Sequence, residues 1–174
     1  NEIRCLYADR QGALWIGTSD GLNKYEKANG HFLRFLHNPL DPKSLPGPLV
    51  ESLYEDSKGN FWVGLQHGLA TMDRTKGEFI SIVTDRTITD LVAFGEDNEG
   101  TLWFGTQERL LLQKKGHWTS AVRELRATTP LVARRILRDS KGTVWFGSDA
   151  GLWSYSSARG TLTKYIHETG NPHS

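Results

Sequence analysis

Apolar and polar residues alternate over short runs along this chain, and each run stops at a cluster of Gly, Asp, Asn or Ser. Ile3-Arg4-Cys5-Leu6-Tyr7-Ala8 and His31-Phe32-Leu33-Arg34-Phe35 have the period of two expected of a β-strand with one covered face. A second kind of run is apolar at successive positions. It recurs four times: Leu14-Trp15-Ile16-Gly17-Thr18, Phe61-Trp62-Val63-Gly64-Leu65, Leu102-Trp103-Phe104-Gly105-Thr106 and Val144-Trp145-Phe146-Gly147-Ser148. Here the Trp points to one face and its two apolar neighbours to the other, so the strand is expected to be covered on both sides. The tryptophans lie 47, 41 and 42 residues apart. Self-similarity at roughly 40–45 residues marks a β-propeller or a similar array.

With the tryptophans aligned, other positions fall into register. Asp9, Asp56, Asp97 and Asp139 stand six residues before the Trp, and Gly12, Gly59, Gly100 and Gly142 three before it. Gly17, Gly64, Gly105 and Gly147 stand two after it, and Leu22, Leu69, Leu110 and Leu152 seven after it. Each unit then reads as four short antiparallel strands, with repeats over about 1–47, 48–87, 88–130 and 131–174. The fold class is therefore all-β, four four-stranded propeller blades. Asp in the first turn position can bond its own backbone two residues on, and Gly in the fourth takes the positive φ of a type I turn with a G1 bulge. The four Asp-x-x-Gly segments are read as hairpin turns between strands one and two.

The link between the first two repeats, Leu36 to Pro48, holds four prolines and is read as a rigid loop. The links near Val83–Thr87 and Arg123–Pro130 are shorter. The tail Asn171-Pro172-His173-Ser174 aligns with Asp41-Pro42-Lys43-Ser44, and Asn1 sits just before a first strand. The four blades are thus in phase. The expected architecture is an arc from a larger, seven-bladed ring; four-bladed closure and an open, associating arc (a homo-oligomer) are the alternatives.

Composition narrows the function classes. Eighteen Gly and a charged fraction of 24% fit a turn-rich β protein. A net charge of +1, with both signs mixed along the chain, makes no footprint for nucleic acid or anionic membrane. The lone Cys5 allows no internal disulfide and no Cys-based metal site. No apolar run approaches a membrane span. The four repeated acids suggest calcium or general-base chemistry when read alone. On four different blades they cannot converge on one ion, so a turn role is the stronger reading. The repeated Trp is read as core rather than as a sugar-stacking platform. No nucleophile-elbow, zinc-protease or P-loop pattern is present, and the six histidines lack ligand spacing. The expectation is a non-enzyme without cofactor or metal; a lyase or glycosidase with a dispersed site is the catalytic alternative, and an interaction scaffold the other.

Positions shared by all four repeats serve the architecture; positions that differ are free to specialise. The loops after strand two differ: Ser19-Asp20, Gln66-His67, Gln107-Glu108-Arg109 and Ser148-Asp149-Ala150. They share a face with the inter-blade links, opposite the Asp-x-x-Gly turns. Binding sites favour loops on a rigid scaffold. The candidate ligand site is therefore Asp20, Gln66, His67, Glu108, Arg109 and Asp149, with His37 and Arg126 at the rim; ordinary solvated loops are the competing reading.

The order of hydrophobic strand, Asp-x-x-Gly, Trp-apolar-Gly-Thr, Gly-Leu and aromatic resembles the two-component regulator propeller repeat. Ile3 to Phe35 is the fullest copy, and Asn38-Pro39-Leu40-Asp41-Pro42-Lys43-Ser44-Leu45 is similar to that family's inter-blade linker. The third repeat departs from it, with Arg109 in place of Gly and Phe94-Gly95-Glu96 before Asp97. The resemblance implies the extracytoplasmic, periplasmic sensor part of a bacterial signalling receptor. There, further blades precede an immunoglobulin-like domain, a membrane span and a histidine kinase or diguanylate cyclase. It also implies a small carbohydrate-type ligand and no catalytic signature.

Overall fold

The computed structural model describes residues 2–82, 88, 90–121, 125 and 131–165. Sixteen strands follow in order: β1 (Ile3–Ala8), β2 (Leu14–Thr18), β3 (Gly21–Glu26), β4 (His31–Phe35), β5 (Val50–Glu55), β6 (Phe61–Leu65), β7 (Gly68–Asp73), β8 (Glu78–Ile82), β9 (Ala93–Glu96), β10 (Leu102–Gly105), β11 (Leu110–Lys114), β12 (His117–Ser120), β13 (Arg135–Arg138), β14 (Val144–Ser148), β15 (Gly151–Ser156) and β16 (Thr161–Tyr165). Each consecutive four form one antiparallel sheet in chain order. The chain divides into two compact units, 1–91 with sheets one and two and 92–174 with sheets three and four.

The Asp-x-x-Gly turns take the expected form. The Gly12 amide donates to the Asp9 carbonyl at 2.9 Å, and the same bond recurs from Gly59, Gly100 and Gly142. All four glycines have φ between 74° and 85°, in the left-handed region. The Asp9 carboxylate accepts the amides of Gln11 and Ala13. Each later Asp accepts the matching pair. The sequence did not reveal a further bond. The indole N–H groups of Trp15, Trp62 and Trp145 donate to the second carboxylate oxygen of Asp9, Asp56 and Asp139, each at 2.9 Å. One acid thus folds the turn and satisfies the core Trp. Trp103 is the exception: its buried N–H has no partner among the described residues.

In the first unit, β1 and β2 pack against β5, and Trp15 lies in a core with Leu22, Leu53, Phe61 and Phe79. Burying one indole removes about 200 Å² of apolar surface, roughly 5 kcal/mol as an upper value. A Cβ on Gly17 would lie 2.7 Å from a Val50 methyl, which explains glycine two residues after the Trp. In the second unit β13 packs on β9 and β10 around Trp103, Val144 and Phe146. The strand expected to be covered on both faces is so covered in β6 and β10. In β2, Leu14 is exposed, and in β14, Trp145 is only half-buried. In each case the packed neighbour lies on the other face of the sheet.

The link Leu36–Pro48 folds on itself. Ser44 Oγ donates to the carbonyls of Asn38 and Asp41 and accepts the Asn38 amide. Asn38 and Asp41 carboxamide and carboxylate oxygens accept the amides of Leu40 and Lys43. The Phe79 amide donates to the Lys43 carbonyl, and Leu45 is wholly buried. The two later links and the tail lie largely or wholly outside the described residues.

Candidate functional site

The loops after strand two are held by a hydroxyl in three repeats. Thr18 Oγ1 donates to the Gly21 carbonyl and accepts the Asp20 amide. Thr106 makes these bonds with Arg109 and Glu108, and Ser148 with Gly151 and Ala150. The second repeat has Leu65 there. Its loop is tied by backbone instead, with the Gln66 amide on the Leu49 carbonyl and the Asp90 amide on the Gln66 carbonyl. These loops do share a face with the links, since the Gly21 amide also donates to the Pro48 carbonyl.

Beside Leu65 lies a cleft of about 190 Å³. Pro46, Gly47, Pro48 and Leu49 of the link form one wall; Leu65, Gln66 and His67 form another, and His37 completes it. The His37 ring is positioned by Nδ1, 2.7 Å from the Leu45 carbonyl. A carbonyl only accepts, so the proton sits on Nδ1 and Nε2 of the neutral ring is an acceptor. No Lys, Arg, Asp or Glu lines the cleft. Its polar groups are two imidazoles, one carboxamide and backbone, on an apolar floor. That suits a small neutral ligand with hydroxyl groups and an apolar face.

The structure thus brings together His37, Gln66 and His67. Asp20, in the same unit, does not line this cleft. Asp20 faces Arg34 at 3.5 Å, and both are exposed. Asp149 accepts from Arg134 Nη2 at 2.8 Å and Nε at 3.2 Å, a bond that lowers its pKa. Both acids have cations from outside their loops, Arg34 in β4 and Arg134 just before β13, which the loop comparison could not show. In the second unit Glu108 is exposed and Arg109 half-buried in their shared loop. Arg126 lies outside the described residues. Among the described residues, no group of three or more His, Cys, Asp or Glu could hold a metal ion.

On the opposite, turn-bearing face of the first unit lies a charged cluster that sequence reasoning missed. Arg74, in the turn between β7 and β8, donates to Asp9 Oδ2 at 3.0 Å and Glu55 Oε1 at 2.7 Å. Its guanidinium lies 5.2 Å from the centre of the Phe61 ring. The Glu55 carboxylate also accepts the Arg10 amide, and the Glu55 amide donates to Tyr7 Oη. Burial opposes the charge on Asp9, but the Trp15 indole, the Ala13 amide and Arg74 outweigh it and hold the carboxyl below its ordinary range. Glu55 is likewise lowered: burial opposes its charge, and the bonds from Arg74 and the Arg10 amide prevail. The cluster joins sheets one and two, and its closed hydrogen bonding marks it as a structural lock. Arg74 occupies a position that holds Lys27, Lys115 and Ser157 in the other repeats, so repetition gave no signal for it. A wider groove of about 690 Å³ runs beside Gln11–Leu14 and Lys24–Asn29 and contains none of the expected residues.

Residues 1–20 and 44–67 match the family described as two component regulator propeller. Among solved structures, the chain is similar to an extracellular domain assigned to the hybrid two component system BT3049 of B. thetaiotaomicron, with 24% identity and a TM-score of 0.78 over 97% of this chain and 24% of that one. It is also similar to the extracellular domain of BT4673 from the same organism, at 22% identity and a TM-score of 0.79, over 100% of this chain and 23% of that one. A virginiamycin B lyase from Staphylococcus aureus shares 14% identity and a TM-score of 0.71 over 97% of this chain and 57% of that one. At these identities the likeness is one of fold: the sheets are propeller blades. The chain spans about a quarter of the extracellular domains it matches. No curated protein matches it.

Proposed function

We propose that this chain of two component regulator propeller repeats is a ligand-sensing part of the extracytoplasmic region of a bacterial signalling receptor. The observation that carries this reading is the convergence of His37, Gln66 and His67 on one uncharged cleft, built where the second repeat departs from the others. The match over residues 1–20 and 44–67 supports the signalling context, as do structural relatives that are extracellular domains assigned to two component systems. The ligand is small, neutral and hydroxylated, of carbohydrate type. One hydroxyl donates to His37 Nε2 while the ligand's apolar face lies over Pro46, Pro48 and Leu65. The binding role does not extend to Asp20 and Asp149, which are engaged by Arg34 and Arg134. In the whole receptor, an output domain such as a histidine kinase or diguanylate cyclase lies across the membrane.

The test is calorimetric titration of the chain with a panel of neutral mono- and oligosaccharides. At least one is expected to bind. A Gln66→Ala, His67→Ala double variant is expected to weaken that affinity about tenfold or more, with an unchanged unfolding midpoint. Absence of any neutral ligand, or affinity indifferent to both residues, removes the proposal; turnover of the sugar redirects it to catalysis.

A further inference from the structure

The cleft beside Leu65 is lined by two titratable side chains, the imidazoles of His37 and His67, and by no Lys, Arg, Asp or Glu. Histidine is the side chain whose charge ordinarily changes between about pH 5 and 8. Protonation therefore puts positive charge beside Pro46, Pro48 and Leu65, with no carboxylate in the lining to balance it. The acids of the surrounding elements are engaged or stand elsewhere. Asp20, in the loop whose Gly21 amide meets the Pro48 carbonyl, faces Arg34. In the link, Asp41 accepts the Lys43 amide, and Lys43 pairs with Glu78. Glu51 of β5 pairs with Arg4. Asp90 reaches the Gln66 carbonyl through its backbone amide, and its side chain is not part of the lining.

His37 is prepared for a second proton. Its Nδ1 lies 2.7 Å from the Leu45 carbonyl, so that nitrogen keeps its proton and the second one enters at Nε2. The ring then changes from acceptor to donor without turning, because its positive charge strengthens the bond from Nδ1–H to the same carbonyl. That carbonyl is a fixed point. Leu45 is wholly buried, and Ser44 Oγ bonds the backbone of Asn38 and Asp41 across the link. His37 and His67 are both exposed, so each exchanges protons with solvent.

We propose that this cleft takes up a small carboxylate borne on an apolar ring when its histidines are protonated. The carboxylate accepts from Nε2–H of His37 and meets the charge of His67, while the ring lies over Pro46, Pro48 and Leu65. A volume of about 190 Å³ admits one such ring. An inorganic anion has no group to set against that floor. The same cleft then answers to acidity as well as to ligand concentration: the proton supplies the charge that the lining lacks. The inference shares its cleft with the sugar reading and does not need a sugar to bind there.

Calorimetric titration of the chain with benzoate tests it, with benzamide as a neutral counterpart of the same shape. Benzoate stays ionised from about pH 7.5 to about pH 5.5, so a change in its affinity over that range belongs to the protein. Its affinity is expected to rise about fivefold or more as the pH falls, and that of benzamide to stay level. Titration in buffers of different ionisation heat is expected to show protons taken up with benzoate and none with benzamide. A His37→Gln, His67→Gln variant is expected to bind benzoate without regard to pH, and circular dichroism checks that it keeps its sheets. The wild-type chain gives the same answer by NMR: of its six histidines, His37 and His67 are expected to respond to benzoate at the lower pH. Benzoate affinity that is flat with pH, binding without proton uptake, or a response confined to other histidines each overturns the proposal. A neutral sugar that binds while benzoate ignores pH removes this inference alone. Acid-dependent benzoate binding with no sugar bound removes the sugar reading alone.

Discussion

The two units join equivalent pairs of sheets by different means. In the first, Trp15 donates to Asp9, and Arg74 ties that same carboxylate to Glu55 of the next sheet. In the second, Trp103 donates to nothing among the described residues. Its ring meets Phe146 edge-on with centres 5.3 Å apart, and Tyr155 at the same distance. The position of Glu55 is taken by Arg138, which donates to Asn98 Oδ1 at 3.3 Å. The repeated residues therefore define a blade, while residues that do not repeat decide how firmly one blade holds the next. The first joint is polar and closed; the second rests on aromatic packing.

Removing Arg74 gives the largest expected difference between the joints. Arg74→Met leaves the Asp9 and Glu55 carboxylates buried without their cation and is expected to destabilise the chain by about 2–4 kcal/mol in urea unfolding. Arg138→Met in the other joint should change stability by no more than about 0.5 kcal/mol. Similar values for both would erase the contrast. The lowered pKa values of Asp9 and Glu55 fix the sign with pH. Their contribution is complete above the ordinary carboxylate range, about pH 4, and is lost as pH falls through the lower folded values. Arg74→Met should flatten that acid loss.

A smaller effect separates positions that align in the repeat. A Cβ on Gly105 would run into the Ala133 carbonyl, whereas on Gly147 the nearest atom is 3.9 Å away. Gly105→Ala is expected to cost about 1–3 kcal/mol and Gly147→Ala close to nothing, by thermal or urea unfolding. Equal costs would mean that backbone preference, not close approach, selects the glycine.

The smallest contrast concerns the indoles. Trp15→Phe removes one of the two donors to Asp9 Oδ2, leaving Arg74 Nη1, whereas Trp103→Phe deletes an N–H that lacks a partner among the described residues. With ring loss common to both, Trp15→Phe should cost about 1 kcal/mol more. A reversed order would place a hidden partner on Trp103.

Much of the blade was legible in the residues, for a local reason. The Asp-x-x-Gly turn closes within five positions, and strand pairing follows from it, so four copies announce it four times. The constant spacing of six between Asp and Trp was the available signal for their hydrogen bond, but each residue has a sufficient reason of its own and the pair went unread. Arg74 left no trace because its partners lie 65 and 19 residues away and its position varies. The candidate site was half legible. The difference between loops pointed to Gln66 and His67, and the Pro-rich link to His37. Contrast alone could not reveal that Arg34 and Arg134 engage Asp20 and Asp149, because those cations come from β4 and from the residue before β13, segments that the loop comparison leaves out.

The strand order within every sheet has a consequence for synthesis. Because β1 to β4 pair in the order in which they occur, as do the later sets, each strand finds its neighbour already made when it leaves the ribosome. Pairings of such short sequence separation form early and need no distant segment. A sheet can form without any strand of the next one, and its Asp–Trp bond, wherever present, joins residues six apart. What must wait is the docking of faces, which in the first unit requires Arg74 to arrive after Asp9 and Glu55 are in place. Until then Asp9 and Glu55 stay in water, and their cation arrives as the two faces close over them.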